Sequence, residues 1–184
     1  SHSGERGIFN REAAINQAKK NGRRDTEQEF GTNPCSEIIL RPYQFCNLSE
    51  VVVREGDSIY DLERKVRLAT ILGTLQSTLT HFPYLRKIWQ RNTEEERLLG
   101  VSLTGILDNK LLGDTVEQTR TLLERLKDVS VDTNLQLSTD LNIPCSTAIT
   151  CVKPSGTVSQ LVDSASGIHP RHSKDTIRRL CHAS

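Results

Sequence analysis

Gly31-Thr32-Asn33-Pro34-Cys35-Ser36-Glu37-Ile38-Ile39-Leu40-Arg41-Pro42 sets an amide, a thiol and a carboxylate at alternate positions, directly before an apolar run. Side chains on an extended segment repeat every two residues, so Asn33, Cys35 and Glu37 would point the same way and could face one substrate. The same spacing also suits a plain turn at Asn33-Pro34 followed by a buried cysteine and a surface glutamate. Ile38-Ile39-Leu40 reads as a short strand, Arg41-Pro42 as a turn and Val51-Val52-Val53 as a second strand closed by Glu55-Gly56-Asp57. Short strands therefore flank the cysteines Cys35 and Cys46.

Working outward, the segment before Pro34 is polar. Ala14, Ile15 and Ala18 recur there at three-and-four spacing, as in a short helix, and the basic stretch Lys19 to Arg24 leads into a loop. On the other side a long helix is predicted from Ser58, with Asp61 in capping-box position. Its inner face would be Ile59, Leu62, Val66, Ala69, Leu72, Leu75, Leu79 and Phe82, and Pro83 would end it. A second helix is predicted from Thr115, boxed by Gln118, with Val116, Leu122, Leu123, Leu126 and Val129 inward. Val101 to Leu107 and Thr147 to Cys151 are candidate strands. Strands alternating with helices indicate an α/β architecture.

Composition narrows the function. With 184 residues the chain is long enough for one domain with a real core. Twenty-four Lys+Arg against 23 Asp+Glu leave no global field to draw it to nucleic acid or a membrane surface, so an anionic partner must be held locally. No apolar run reaches the roughly 18 residues of a membrane span, and Ser1-His2-Ser3 does not open a secretory signal, so a cytoplasmic location is expected. A chain without a single Met reads as an internal piece or a product of an interrupted gene. The odd cysteine count, five, predicts reduced thiols rather than a disulfide framework. There is no CxxC pair. A closed zinc site would have to draw on Cys145, Cys151, His169, His172 and Cys181-His182 at irregular spacing, and no metal ligand is assigned.

The second motif is Cys151-Val152-Lys153-Pro154-Ser155-Gly156-Thr157-Val158-Ser159-Gln160. A strand ending at Pro154, with Ser155-Gly156-Thr157 opening a helix, would present free amides and hydroxyls to an anion. An ordinary N-cap after a turn fits the same residues. The GxxxxGK pattern of nucleotide hydrolases does not occur.

Together these motifs resemble the ribonucleotide reductases, whose active-site loop carries Asn-x-Cys-x-Glu. The likeness runs through Ile38-Ile39-Leu40-Arg41-Pro42 to Cys46-Asn47-Leu48. It also takes in Gly7-Ile8-Phe9-Asn10-Arg11-Glu12, Leu99-Gly100-Val101-Ser102-Leu103-Thr104-Gly105 and Lys153 to Gln160. Among these enzymes the sequence is most similar to the adenosylcobalamin-dependent class and its monomeric triphosphate reductases. Arg6 stands where many relatives have proline.

The resemblance implies that residues 1–184 form part of a ten-stranded α/β barrel, with Cys35 as a thiyl radical site at the tip of an internal finger loop. It implies that Glu37 takes the 3′-hydroxyl proton, that Asn33 orients the ribose and that Cys46 belongs to the reducing dithiol, its partner lying upstream in the family. Ser155, Gly156, Thr157 and Ser159 would hold the substrate phosphates. Adenosylcobalamin is the implied cofactor. The implied partners are a ribonucleoside triphosphate, thioredoxin or a similar dithiol reductant, and the remainder of a longer reductase chain. Asp163 to His172, with Gly167-Ile168-His169-Pro170-Arg171-His172, would line the barrel near the substrate, and its histidines are given no catalytic role. A ribonucleoside-diphosphate reductase of the same superfamily, or a non-catalytic piece that complements other fragments, are the alternatives.

Overall fold

In a computed structural model, which describes residues 7–113, 115–171 and 173, the chain has an α/β arrangement. Arg6, His172, Cys181 and His182 lie outside the described residues. In chain order the elements are α1 (Arg11–Lys19), β1 (Gly31–Thr32), β2 (Ile39–Leu40), β3 (Asn47–Val52), α2 (Ile59–Gln76), α3 (Lys87–Glu96), β4 (Leu99–Thr104), α4 (Lys110–Gly113), α5 (Val116–Asp140) and α6 (Val158–Leu161), with a 3-10 turn at Ile106–Asp108 between β4 and α4. No helix among the described residues is long and apolar enough to cross a membrane.

The helix starts follow the caps in the sequence. Ser58 and Asp61 form a reciprocal capping box, and the Thr115 side chain accepts from the Gln118 amide at 3.3 Å. Asn10, not singled out from the sequence, caps α1 by accepting from the Ala13 amide at 3.0 Å. Helix α2 stops at Gln76, six residues before the predicted stop at Phe82, because the hydroxyls of Ser77 and Thr78 donate to the carbonyls of Thr74 and Leu75 and close the last turn. Its inward face is Leu62, Val66, Thr70, Gly73 and Thr74, whereas Leu72, Leu75 and Leu79 are exposed. Apolar character alone misplaced those three leucines. After Leu62 and Val66 the inward face narrows to Thr70, Gly73 and Thr74, small residues that let the helix sit close, and the leucines of the second half are turned outward. In α5 the inward residues are Leu122 and Leu126, with Val129 packed beside them, while Val116 and Leu123 are exposed.

Strands β3 and β4 pair in parallel, from Asn47↔Leu99 to Val52↔Thr104, across the α2–α3 connection. Parallel pairing requires such a crossover. β4 begins two residues earlier than predicted and ends at Thr104, because Gly105 takes a φ of 75° and turns the chain into the 3-10 segment. A Cβ at Gly105 would lie 2.8 Å from the Val53 carbonyl oxygen. The predicted strand Thr147 to Cys151 contributes one bridge, Thr150 to Val101, with the Cys151 amide donating to the Val101 carbonyl at 3.0 Å. The described strands make a two-stranded antiparallel hairpin, β1–β2, and this small parallel sheet. By themselves they close no ten-stranded barrel.

The core lies between one face of the sheet and the α2–α5 layer. Val51, Val53, Leu62, Val66, Leu112, Leu122 and Leu126 form one cluster, and Leu99, Val101 and Ile149 a second. Each fully buried aliphatic side chain contributes about 1.5–3 kcal/mol. Because side chains alternate across a strand, placing Ser49, Val51, Leu99 and Val101 towards the helices leaves the other set for the opposite face.

Candidate active site

That opposite face carries Cys46, Leu48 and Glu50 from the β3 side, Gly100 and Ser102 from β4, and Cys151 and Lys153 from the segment bridged to β4. Period-two alternation puts chemistry on this face, since its other side is committed to the core. Gly100 makes room there. A Cβ at this position would collide with Leu48 Cδ2, lie 2.9 Å from Ile38 Cδ1 and 3.1 Å from Cys151 Sγ. The glycine thus seats the end of the hairpin loop, through Ile38, against the sheet and beside Cys151.

The hairpin pairs Gly31 with Leu40 and Thr32 with Ile39, and its loop is held by Asn33. The Asn33 amide donates to the Ile38 carbonyl (3.3 Å), Asn33 Oδ1 accepts from the Ile38 amide (3.0 Å), and the Ser36 amide donates to the Asn33 carbonyl (3.0 Å). Ser36 has a φ of 63°. The segment is therefore a tight turn rather than an extended stretch, and Asn33, Cys35 and Glu37 do not share one side. Asn33 builds the loop, Cys35 is exposed at its tip, and the Glu37 side chain is 1% exposed. A polar loop can reach this geometry only by spending its own amide on itself, which is why alternation failed here.

Glu37 is the centre of the site. Its Oε1 lies 3.9 Å from Lys153 Nζ, and its Oε2 is buried without a hydrogen-bond partner. Buried carboxylate oxygens are normally satisfied, so an orphaned one asks for an explanation. Cys46 and Cys151 both sense this carboxylate. Burial pushes the Cys46 thiol above its ordinary range and Glu37 adds to the effect, with Lys153 opposing it. Burial also pushes the Cys151 thiol up to about 12, helped by Glu37 and then Cys46. Both are therefore held as S–H at neutral pH. Glu50 Oε1 is a second buried, unpartnered carboxylate oxygen on the same face.

The second motif is divided. Ser155 is buried with φ 54° and an unpartnered Oγ, and Ser159 is buried with its Oγ 3.5 Å from the Gly156 carbonyl. Gly156 and Thr157 are exposed. The helix they precede, α6, is a single turn from Val158 to Leu161 without a side-chain cap, so its dipole is small. The segment is nonetheless fixed from behind. The Lys153 amide donates to Ser102 Oγ (2.9 Å), and Ser166 Oγ donates to the Pro154 carbonyl (2.8 Å). Among the described residues no three His, Cys, Asp or Glu side chains converge to hold a metal ion. Lys153 and Glu50, neither given a role from the sequence, belong to the site. The alternation Cys151, Lys153 against the exposed Val152 was the available signal.

No protein-family model matches the chain. It is 30% identical to the adenosylcobalamin-dependent ribonucleoside-triphosphate reductase of Lactobacillus gasseri over 97% of its own length and 27% of that protein's. It is 29% identical to the Euglena gracilis enzyme of the same name over 89% of its length and 22% of the relative's. Among solved structures, a B12-dependent (class II) ribonucleotide reductase superposes with a TM-score of 0.63 at 27% identity, covering 81% of this chain and 23% of that one. The chain thus spans about a quarter of the length of the relatives it matches. In sequence and in fold, the chain is similar to a segment of the adenosylcobalamin-dependent ribonucleotide reductases.

Proposed function

We propose that this segment carries the reaction centre of a reductase that converts ribonucleoside triphosphates to 2′-deoxyribonucleotides, within the α/β barrel of that family. The observation that carries the reading is the buried Glu37 with one oxygen unpartnered, set behind an exposed Cys35 and beside two protonated thiols. Such a carboxylate is a general base awaiting a substrate hydroxyl.

In this reading Cys35, as a thiyl, takes the 3′ hydrogen atom of the ribose and becomes a thiol. Glu37 Oε2 accepts the 3′-hydroxyl proton, which assists loss of the 2′-hydroxyl as water. Cys46 supplies reducing equivalents as one member of a dithiol that ends as a disulfide, and being held as S–H suits a hydrogen donor. Asn33 fixes the turn that presents Cys35 and Glu37. Ser155 and Ser159, with Gly156 and Thr157, receive the phosphates. When bound, adenosylcobalamin supplies the first radical, and the exposed tip at Cys35 fits a radical source approaching from outside. No cobalamin-binding surface is assigned to these residues. A thioredoxin-type dithiol and the rest of a reductase chain are the proposed partners.

The test exchanges this segment for its counterpart in the Lactobacillus gasseri reductase and follows a 3′-tritiated nucleotide through a single turnover. Cys35→Ser should abolish tritium release, because a serine O–H is too strong to be activated in the same way. Cys46→Ser should still release tritium and free base while failing to form deoxynucleotide. Tritium release by the Cys35→Ser protein would refute the assignment.

A further inference from the structure

Lys153 is held unusually firmly for a lysine in a loop. Its amide is bonded to Ser102 Oγ on β4 at 2.9 Å, and Pro154 follows it with φ restricted by its ring. The carbonyl oxygens of Lys153 and Pro154 would lie 2.9 and 3.1 Å from a Cβ on Gly167, so the loop 164–167 is packed directly onto this backbone. That loop is anchored in turn: the Gly105 amide donates to the Ala165 carbonyl at 2.9 Å and the Gly167 amide to Thr104 Oγ1 at 3.0 Å. The consequence is a lysine whose stem starts from a fixed point on the inner face of the sheet. Its ammonium group reaches a glutamate 116 residues away in the chain, on a different supersecondary unit.

We infer that Lys153 is a positioning residue for the reaction, supplying the counter-charge that engages Glu37 Oε1 and so leaves Oε2 turned towards the substrate. This rests on the proposed role of Glu37. The contact at 3.9 Å is an ion pair without a close hydrogen bond, so it orients the carboxylate without using up its second oxygen. Burying the Glu37 side chain to 1% exposure carries a cost that a nearby opposite charge offsets in part, and among the described residues Lys153 is its ion-pair partner. The Lys153 side chain is one-quarter exposed, so it is not sealed off from an anionic group arriving beside Ser155.

Cys46 reports on the pair, since Glu37 disfavours its thiolate and Lys153 favours it. The experiment measures iodoacetamide alkylation of Cys46 by mass spectrometry between pH 7.0 and 8.5, below the ordinary thiol value of 9.0 from which Cys46 is raised, so that rate follows thiolate fraction. It compares the wild-type chain with Glu37→Gln, Lys153→Gln, Lys153→Arg and the Glu37→Gln/Lys153→Gln double variant, each checked for an intact amide spectrum. Glu37→Gln should speed alkylation roughly threefold, Lys153→Gln should slow it by a similar factor, and Lys153→Arg should match the wild type. In the Glu37→Gln background, Lys153→Gln should have at least about a twofold smaller effect, because the ammonium is no longer held in place. Equal effects of Lys153→Gln in both backgrounds would mean two independent charges and would overturn the inference while leaving the role of Glu37 standing. No response to Glu37→Gln would remove Glu37 from the neighbourhood of Cys46 and overturn both.

Discussion

Two glutamates, Glu37 and Glu96, are buried in this chain to nearly the same degree, with side chains 1% and 6% exposed, and they are treated in opposite ways. Glu96, at the end of α3, accepts from Arg24 Nε and Nη2 at 2.8 Å each and from Gln44 Nε2. Arg24 in turn donates to the Ile39 carbonyl and stacks on Phe30, 4.7 Å from the ring centroid. Both Glu96 oxygens are used, and the network ties the loop after α1 to the base of the hairpin. Glu37 has one distant cation and one oxygen with nothing to accept from. The fully satisfied carboxylate holds the fold, and the half-satisfied one keeps an oxygen open, as its proposed role needs.

That contrast can be broken by stability measurements. Glu96→Ala leaves a buried guanidinium without its partner, and such losses cost about 3–5 kcal/mol. Glu37→Gln removes a charge whose burial was poorly compensated, so denaturant unfolding should move by less than about 1 kcal/mol, in either direction. If the two substitutions were equally destabilising, Glu37 would be a structural group, and its open oxygen would have no catalytic meaning.

A smaller effect is expected where the hairpin meets the sheet. Gly100→Ala drives a methyl into Leu48, Ile38 and Cys151, and overpacking of this kind costs about 1–3 kcal/mol. Gly56→Ala has nothing within 4 Å and should be near neutral. The sharper expectation is that Gly100→Ala also frees the hairpin, read as faster amide exchange at Ile38, since Ile38 is the loop residue that Gly100 admits. Unchanged exchange at Ile38 would show that the hairpin is seated by the Arg24 network alone.

The difference between the glutamates also marks what was legible beforehand. Local signals were readable: Ser58 with Asp61, Thr115 with Gln118, and the strand character around Ile39 and Val51 depend on neighbours within a few residues. The Asn-x-Cys-x-Glu pattern pointed to the proposed reaction centre through resemblance, yet its spacing suggested an extended segment where Asn33 folds the loop on itself. Leu72, Leu75 and Leu79 read as core because they are apolar at helical spacing, while the inner face of α2 continues from Leu62 and Val66 through Thr70, Gly73 and Thr74, the two threonine hydroxyls being absorbed by carbonyls one turn back or within the α2–α5 contact. The Glu37–Lys153 and Arg24–Glu96 pairs join residues 116 and 72 positions apart, and nothing in a linear reading connects them. Long-range pairing of charges is a property of strand order, which the sequence pattern left open.

The smallest expected effect concerns the thiols, and it tests whether the inner face is as shielded as Glu37 requires. Cys35 and Cys145 are exposed, whereas Cys46 and Cys151 are half-buried beside the carboxylate. At pH 8 a thiol-alkylating reagent should label Cys35 and Cys145 first, Cys46 more slowly and Cys151 last, because only the thiolate reacts and Cys151 ionises near 12. The sign of the linked stability follows. An unfolded cysteine loses its proton near 9 while folded Cys151 keeps it to about 12, so its contribution to stability is complete below pH 9 and is lost as pH rises towards 12. Cys151→Ala should therefore flatten the alkaline limb of the stability profile between those values, while Cys145→Ala should leave it unchanged. Labelling of Cys151 as early as Cys35 would mean that water and reagent reach the inner face freely, and a carboxylate there would gain nothing from its burial.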